Sequence, residues 1–223
     1  MQKIYLRITM KNCSKFSIII IILIISACSQ KKDTANEEVK LIEKGSDITE
    51  LVQQNVKEAI EMDSIRKQLG DNSIIDFSVL QKYFPKDIVG YNTEQPTGEF
   101  VDFAGEKYST ASVHYVKNGD GDYIDIKIMD LNKAIGTYTS SVGLWAMGYS
   151  PDEKENTDEI SKPTLKNSIC YKRYDKLSKE AALYCGIDYR FLVEIVATNQ
   201  MNTKLVQEVF DLMKLEELVP SGK

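Results

Sequence analysis

Residues 108–131, YSTASVHYVKNGDGDYIDIKIMDL, decide the fold of this chain because they form the pattern of two strands joined by a tight turn. From Ile124 to Ile128, isoleucines alternate with charged residues, which indicates a strand with one buried and one solvent-facing side. Between the strands, KNGDG (117–121) contains two glycines that supply the positive φ angles of a hairpin turn. The sequence therefore predicts an antiparallel sheet built around this hairpin.

Helices flank the predicted sheet. Residues 46–70 contain apolar residues at helical spacing, with Ser46 or Asp47 as the cap and Gly70 at the end. The apolar positions that set this period are Ile48, Leu51, Val52, Val56, Ala59 and Ile60. Shorter helices are predicted over 76–84, over 132–147 with Trp145 near its end, and over 202–218.

Further strands are predicted near Phe100–Phe103, in a hairpin spanning residues 170–185, and over 189–199. The polar segment 150–164 is predicted to be a mobile loop. The fold class is therefore α+β, with an antiparallel sheet of about five strands and flanking N-terminal, middle and C-terminal helices. This order of elements is loosely similar to small periplasmic domains of the PsbP/Mog1 type.

The N-terminal residues have the pattern of a secretory signal. Four basic residues and no acidic ones precede an apolar run, Phe16–Ala27, that is too short to cross a bilayer about 30 Å thick. Ile25-Ser26-Ala27-Cys28 resembles the lipobox of bacterial lipoproteins: an aliphatic residue, two small residues and a cysteine. The resemblance implies cleavage before Cys28 and attachment of a diacylglyceryl group to its sulfur, with further acyl chains such as palmitate.

The resemblance implies a signal peptide at 1–27. The polar, charged composition of the next residues predicts a flexible tether at 28–45, and the remaining pattern of elements predicts one domain at 46–223 with its core in 76–218. The resemblance implies that the membrane is a partner through the lipid on Cys28 and that the protein lies in the bacterial cell envelope. Ser29 after the cysteine indicates the outer membrane if the cell is Gram-negative.

Charge and cysteine usage narrow the classes of partner. Without the signal, 24 Lys and Arg stand against 33 Asp and Glu, and this net charge of −9 argues against nucleic acid as a partner. In an exported chain Cys170 and Cys185 can oxidise, and a hairpin centred near 177–178 places them opposite each other. They form either a disulfide or a pair of reduced, half-buried cysteines on neighbouring strands.

Few residues suit catalysis or metal binding. His114 is the single histidine, which excludes zinc sites built from several histidines, and its position on a strand with a mixed face indicates a structural role. The segment NGDGDYID (118–125) spaces oxygen ligands as a calcium loop does, but Tyr123 and Met129 stand where glycine and glutamate are needed. The sequence predicts no catalytic residues, no metal and no cofactor.

Twelve tyrosines remain to be explained, either as packing residues of strands or as a recognition surface. If there is a binding face, we expect it at Tyr171, Tyr174, Tyr184 and Tyr189. The favoured function is a non-enzymatic domain that binds another envelope component, either a protein or a glycan. The alternative is a small-ligand binder or hydrolase with a pocket between the sheet and the Trp145 helix.

Overall fold

A computed structural model describes residues 34–119, 121–148, 156–161, 165 and 167–219. The predicted signal peptide, Cys28 and residues 28–33 lie outside the described residues. The described part of the chain is α+β, with four α-helices and one antiparallel sheet of eight strands, so the prediction of about five strands is wrong. Within these residues no helix is both long enough and apolar enough to cross a bilayer.

The strands in chain order are β1 (Tyr91–Thr93), β2 (Thr97–Phe103), β3 (Glu106–Lys117), β4 (Tyr123–Lys133), β5 (Asn156–Ser161), β6 (Ile169–Asp175), β7 (Glu180–Ile187) and β8 (Phe191–Ala197). Their order across the sheet is β1-β3-β4-β8-β7-β6-β5, and β2 also pairs with β3. The predicted hairpin at 108–131 is thus the β3–β4 pair, and β8 follows β4 at the centre of the sheet.

The sequence missed two short strands at the edges of the sheet. Strand β1 has three residues, too few to show a period of two. Strand β5, NTDEIS, lies in the segment 150–164 that was predicted to be a loop, and it lacks alternating apolar residues. It is a strand because it pairs with β6, where Ile160 lies opposite Tyr171.

The α-helices are α1 (Thr34–Gln68), α2 (Phe77–Leu80), α3 (Ile135–Gly148) and α4 (Lys204–Leu212), with 3-10 turns at Gln81–Tyr83 and Leu215–Glu217. Helix α1 begins at Thr34, well before the predicted start at 46, so it extends into the segment predicted as a tether. Residues 34–45 contain no proline and have three Glu and two Lys, which favour helix. The chain divides into two compact units, Met1–Ser46 and Asp47–Lys223.

One face of the sheet is covered by α2 and α4. Ile124, Ile126 and Ile128 of β4 point to this face, and each is at most 1% exposed. The helices contribute apolar residues to the same cluster: Leu80, Val206, Val209 and Phe210. The alternation read from β4 thus identifies the buried side correctly.

The opposite face is covered only near one end of the strands, where α1 and α3 pack on it. Val52 and Tyr138 lie here against Met129 and Leu192 in a second buried cluster. Gly186 of β7 makes the close packing of α3 possible, since a Cβ at this position would lie 2.5 Å from the Tyr138 hydroxyl. The remainder of this face is not covered by any described helix.

A buried ion pair ties the segment between α1 and α2 to the sheet. Asp130 of β4 is fully buried, and its carboxylate accepts hydrogen bonds from Nε and Nη2 of Arg190, each at 2.7 Å. It also accepts from the backbone N–H of Ile75 at 2.7 Å, while Arg190 donates to the carbonyl of Ser73 at 3.1 Å. Desolvation lowers the pKa of Arg190, but the hydrogen bond and charge of Asp130 outweigh it, so the pKa is raised.

Helix α1 is attached to the sheet by polar side chains on its buried face. Arg66 donates to the carbonyls of Asp188 and Tyr189, at 3.4 and 3.0 Å, and Tyr189 donates its hydroxyl to Glu58 at 2.5 Å. Asp188 and Tyr189 both have φ near 50°, which matches the tight turn between β7 and β8. The turn is therefore held by the helix as well as by its own backbone.

Candidate functional site

One face of the sheet carries a continuous row of polar and aromatic side chains. Strand register places Tyr171, Tyr184, Glu194, Lys127 and Ser112 opposite one another, in that order, on β6, β7, β8, β4 and β3. Directly paired residues on neighbouring strands point to the same face. The row therefore crosses five strands on one side of the sheet. Tyr171 is buried and donates its hydroxyl to the carbonyl of Gly148 in α3 at 3.3 Å, whereas Glu194 and Lys127 are half-exposed.

A depression of about 450 Å³ lies over the middle of this row, and we call it the trough. It is lined by residues of β3, β4 and β8, of the first position of β2 and of the segment before it: Glu94, Gln95, Thr97, Ser112, Val113, His114, Asp125, Ile126, Lys127, Glu194 and Val196. This volume is within the range of small-molecule sites in proteins.

Two pairs of polar side chains, one of them an ion pair, line the trough. His114 Nδ1 lies 2.5 Å from Asp125 Oδ1, and Lys127 Nζ lies 3.6 Å from Glu194 Oε2. All four side chains are between 35% and 53% exposed, so their polar atoms remain accessible to a ligand. The ring of His114 also lies 5.2 Å from that of Tyr123, which holds the imidazole against the sheet.

The segment between β1 and β2 forms one rim of the trough. Both strands pair with β3, so residues 94–96 must bend at the sheet edge between them. The N–H of Glu94 donates to the carbonyl of His114 at 2.8 Å, which fixes this rim beside the histidine. Gln95 and Thr97 thereby add an amide and a hydroxyl to the charged groups of the strands.

An aromatic ladder continues the row beyond Glu194. The rings of Trp145 and Tyr184 are 6.4 Å apart, and those of Tyr184 and Tyr171 are stacked at 6.2 Å. The Tyr171 hydroxyl donates to Asp158 at 3.0 Å, and burial, together with the Asp158 charge, raises the pKa of Tyr171. The ladder fixes the end of α3 on the sheet next to the trough.

The four tyrosines proposed from the sequence as a binding face do not share one. Tyr171 and Tyr184 are in the ladder, but Tyr174 packs toward the opposite face and donates to the carbonyl of Gln200 at 3.0 Å. Tyr189 is buried at the turn after β7 and bonded to Glu58. The alternation of strand residues separates Tyr174 from this face, and only Tyr184 pairs directly with a trough residue.

The two domain cysteines are bonded to each other in the structure. Cys170 lies directly opposite Cys185 in the β6–β7 pair, with Cα atoms 4.1 Å apart, as expected for a hairpin centred near 177–178. Both side chains are buried on the face covered by α2 and α4. The disulfide therefore fixes the hairpin and does not line the trough.

Trp145 does not line the trough, although both belong to the same sheet face. The ring of Tyr184 packs beside that of Trp145, and no residue of the Trp145 helix is among those that line the trough. Asp122, of the segment that resembles a calcium loop, accepts from Asn199 at 2.9 Å and from Lys117 at 3.3 Å. Among the described residues, no group of three or more His, Cys, Asp or Glu is arranged to hold a metal ion.

Four residues of the trough are not predicted as site residues from the sequence: Glu94, Gln95, Lys127 and Glu194. Lys127 had a signal, since it lies on the solvent-facing side of the β4 alternation. The side chains of the trough offer both hydrogen-bond donors and acceptors, which suits recognition of a polar ligand.

Comparisons with known proteins identify no family. No family model matches this chain, and no curated protein matches it. A similar solved structure is the X-ray structure of a putative uncharacterized protein from Mycobacterium smegmatis, at 8% identity and a TM-score of 0.33. The alignment covers 64% of this chain and 93% of that one. None of these matches tests the PsbP/Mog1 resemblance, which stays a prediction.

Proposed function

We propose that this chain is a lipid-anchored protein of the bacterial cell envelope that binds a glycan segment in the trough. The observation that carries the binding proposal is the uncovered half of the sheet, where four half-exposed charged or titratable side chains surround a depression of about 450 Å³. A sheet face built only for packing would be covered by a helix or would expose scattered polar residues.

The charges of the trough favour a neutral, hydroxyl-rich ligand over an anionic one. Its lining sets the three carboxylates of Glu94, Asp125 and Glu194 against one ammonium group, that of Lys127, so an anionic ligand would be repelled. Sugar hydroxyls both donate and accept hydrogen bonds, and the hydroxyls of Ser112 and Thr97 line the same space. A glycan is one of the two envelope partners expected from the sequence, and the trough fits it better than a flat protein interface.

The arrangement supports binding better than hydrolysis. Asp125 and Glu194 are diagonal neighbours on β4 and β8, so two carboxylates do face one ligand. A general acid needs apolar surroundings that keep its carboxyl group protonated. Both carboxylates here are instead partly exposed and lie beside a cationic or titratable partner.

The anchoring part of the proposal rests on the lipobox resemblance at Ile25–Cys28. Cys28→Ala removes the sulfur that would carry the lipid. We expect the variant to lose incorporation of labelled palmitate and to leave the membrane fraction. A variant that keeps both the label and its membrane association would contradict lipid attachment at Cys28, whatever the trough binds.

The binding part can be tested with Trp145 as an intrinsic reporter, because it is the single tryptophan and packs on Tyr184 beside Glu194. The full chain in phospholipid nanodiscs is titrated with soluble peptidoglycan fragments and with envelope polysaccharide while fluorescence is recorded. Lys127→Ala and Glu194→Ala should each weaken binding about tenfold or more, because a hydrogen bond to a charged group contributes about 1.5–3 kcal/mol.

Glu208→Ala is the matched control, since it breaks the ion pair of Lys204 and Glu208 on α4, where both side chains are more than half exposed. We expect this variant to bind as the unsubstituted chain does. Equal affinity in all four proteins, or saturable binding to none of the glycans, would refute the proposed site.

A further inference from the structure

A second depression of about 450 Å³, distinct from the trough, lies between α1 and α3. We call it the helix groove, and eight residues line it: Thr49, Val52, Gln53, Val56, Lys57 and Ile60 of α1, with Gly143 and Met147 of α3. None of them lines the trough, and the two depressions differ in chemistry.

Two parallel ridges of α1 form one wall of the helix groove. Val52, Val56 and Ile60 are spaced four residues apart, so they lie in one row along the helix. This apolar row is about 12 Å long at 1.5 Å per residue. The polar row of Thr49, Gln53 and Lys57 runs beside it and places an ammonium group at the rim. The wall is thus an apolar strip with a cation next to it.

Apolar side chains of the helix groove remain in contact with solvent. Ile60 is 54% exposed and Met147 is 77% exposed, while Leu144, next to the lining residue Gly143, is 59% exposed. Large apolar side chains that are exposed together, and not singly, mark a surface that binds a ligand, a membrane or another protein.

Gly143 gives an independent indication that the helix groove accepts a ligand. It lies within α3, where glycine is among the least favourable residues for a helix. Its φ is not positive, and a Cβ built at this position would meet no atom within 4 Å. Neither the backbone nor the packing of the described residues therefore requires glycine here. Its absent side chain leaves the groove open, and a larger residue would fill it.

We propose that the helix groove binds one fatty acyl chain whose anionic head group lies at Lys57. The apolar row of Val52, Val56 and Ile60 suits a hydrocarbon chain, and the ammonium group beside it complements a carboxylate or phosphate. A partner protein or a second copy fits less well, because a stable interface uses roughly 20–30 residues on each side, and eight line this groove.

The test uses the full chain in phospholipid nanodiscs and a palmitic acid analogue that carries a diazirine in its chain. After photolysis and proteolysis, labelled peptides are identified by mass spectrometry. We expect label on the peptides of α1 and α3 that contain the groove residues. Gly143→Leu should lower this labelling by roughly tenfold or more, the scale of a misfit in an apolar pocket. Lys57→Gln should lower it about two- to fivefold, as for loss of one exposed ion pair.

Matched substitutions separate the helix groove from general apolar exposure. Ile60→Asp puts a carboxylate in the apolar row, whereas Ile65→Asp makes the same change on α1 outside the groove, at a residue that is 44% exposed. The first should abolish the label and the second should leave it unchanged. Because leucine favours helix more than glycine does, Gly143→Leu should keep or raise the melting temperature, so that lost labelling does not reflect unfolding.

Two results would overturn the proposal. The label could fall equally in Ile60→Asp and Ile65→Asp, or it could be unchanged in Gly143→Leu. Glu194→Ala should leave the label unchanged, because that residue lines only the trough. Failure of the glycan proposal therefore does not affect this one.

Discussion

Asp130→Asn tests whether the buried ion pair with Arg190 holds the segment between α1 and α2 on the sheet. The substitution keeps the shape of the side chain and removes its charge. In the structure the carboxylate of Asp130 accepts two hydrogen bonds from Arg190, one from Ile75 and one from the backbone N–H of Asn132. An asparagine cannot accept all of these, because one of its two atoms is an N–H donor.

The loss in the free energy of unfolding follows from the state in which the substitution leaves Arg190. The Arg190 side chain is 10% exposed and would keep its charge while it loses the fully buried partner. Breaking one side of a buried ion pair destabilises a protein by about 3–5 kcal/mol. In a folded unit of this size each kcal/mol lowers the melting temperature by about 2–4 °C, so we expect a decrease on the order of 10 °C.

Urea-induced unfolding, followed by circular dichroism on the compact unit Asp47–Lys223, measures the free energy of unfolding. Asp102→Asn is the control, because its pair with Lys107 is exposed by 64% and 58% and should contribute no more than about 1 kcal/mol. Arg190→Gln added to Asp130→Asn should cost little more, since the pair is already broken. A loss below about 1 kcal/mol for Asp130→Asn, or one equal to that of the control, would refute this account of the buried ion pair between Asp130 and Arg190.

Two further predictions concern the covalent bond and the behaviour at high pH. The disulfide between Cys170 and Cys185 closes a loop with a sequence separation of 15, so reduction, or alanine at both positions, should lower the free energy of unfolding by roughly 3 kcal/mol; an unchanged urea midpoint in reductant would contradict this. Burial, and then the charge of Asp87, raise the pKa of Tyr115 to about 12, and its hydroxyl donates to the carbonyl of Pro85 at 2.6 Å. Between the unfolded pKa of about 10 and pH 12 the folded chain keeps a proton that the unfolded chain loses, so stability should fall as pH rises through this window. Urea midpoints from pH 9 upward should fall less steeply for Tyr115→Phe, and identical slopes would show that Tyr115 does not carry this dependence.

Local patterns predicted the parts of the fold that depend on neighbouring residues in the sequence. The alternation from Ile124 to Ile128 identified the buried side of β4, and the spacing of Cys170 and Cys185 gave the register of their hairpin. The edge strand β5 could not be read, because its polar residues become a strand only through pairing with β6.

Helix α1 shows a second limit. Its apolar period included Ile60, which is 54% exposed, whereas Asn55, Asp63 and Arg66 are buried. Hydrophobic spacing does not anticipate a helix that packs through polar side chains. Arg66 is buried because it donates to the turn at Asp188 and Tyr189, more than 120 residues away in the sequence.

The trough depends on the pairing of strands β4 and β8, which cannot be read from the sequence. Lys127 and Glu194 meet because β8 lies beside β4, although β5, β6 and β7 separate these strands along the chain. Strands that follow one another in sequence are usually neighbours, and that rule would have placed β5 next to β4. The candidate site residues on β4 were therefore readable as solvent-facing, but their partners on β8 were not.

The polar attachments of α1 also determine how the domain would respond to mechanical load. A force applied along α1 is transmitted to the sheet at two places. One is the hydrogen bond of Arg66 to the β7–β8 turn, and the other is the Asp130–Arg190 pair, which holds the segment after α1, so several bonds share the force in parallel. Asp125 lies five residues from Asp130 along β4, which is about 17 Å in a strand. The bonds that resist a force on the helix thus lie at one end of the central strands. We expect the trough, toward the other end, to keep its shape when such a force is applied.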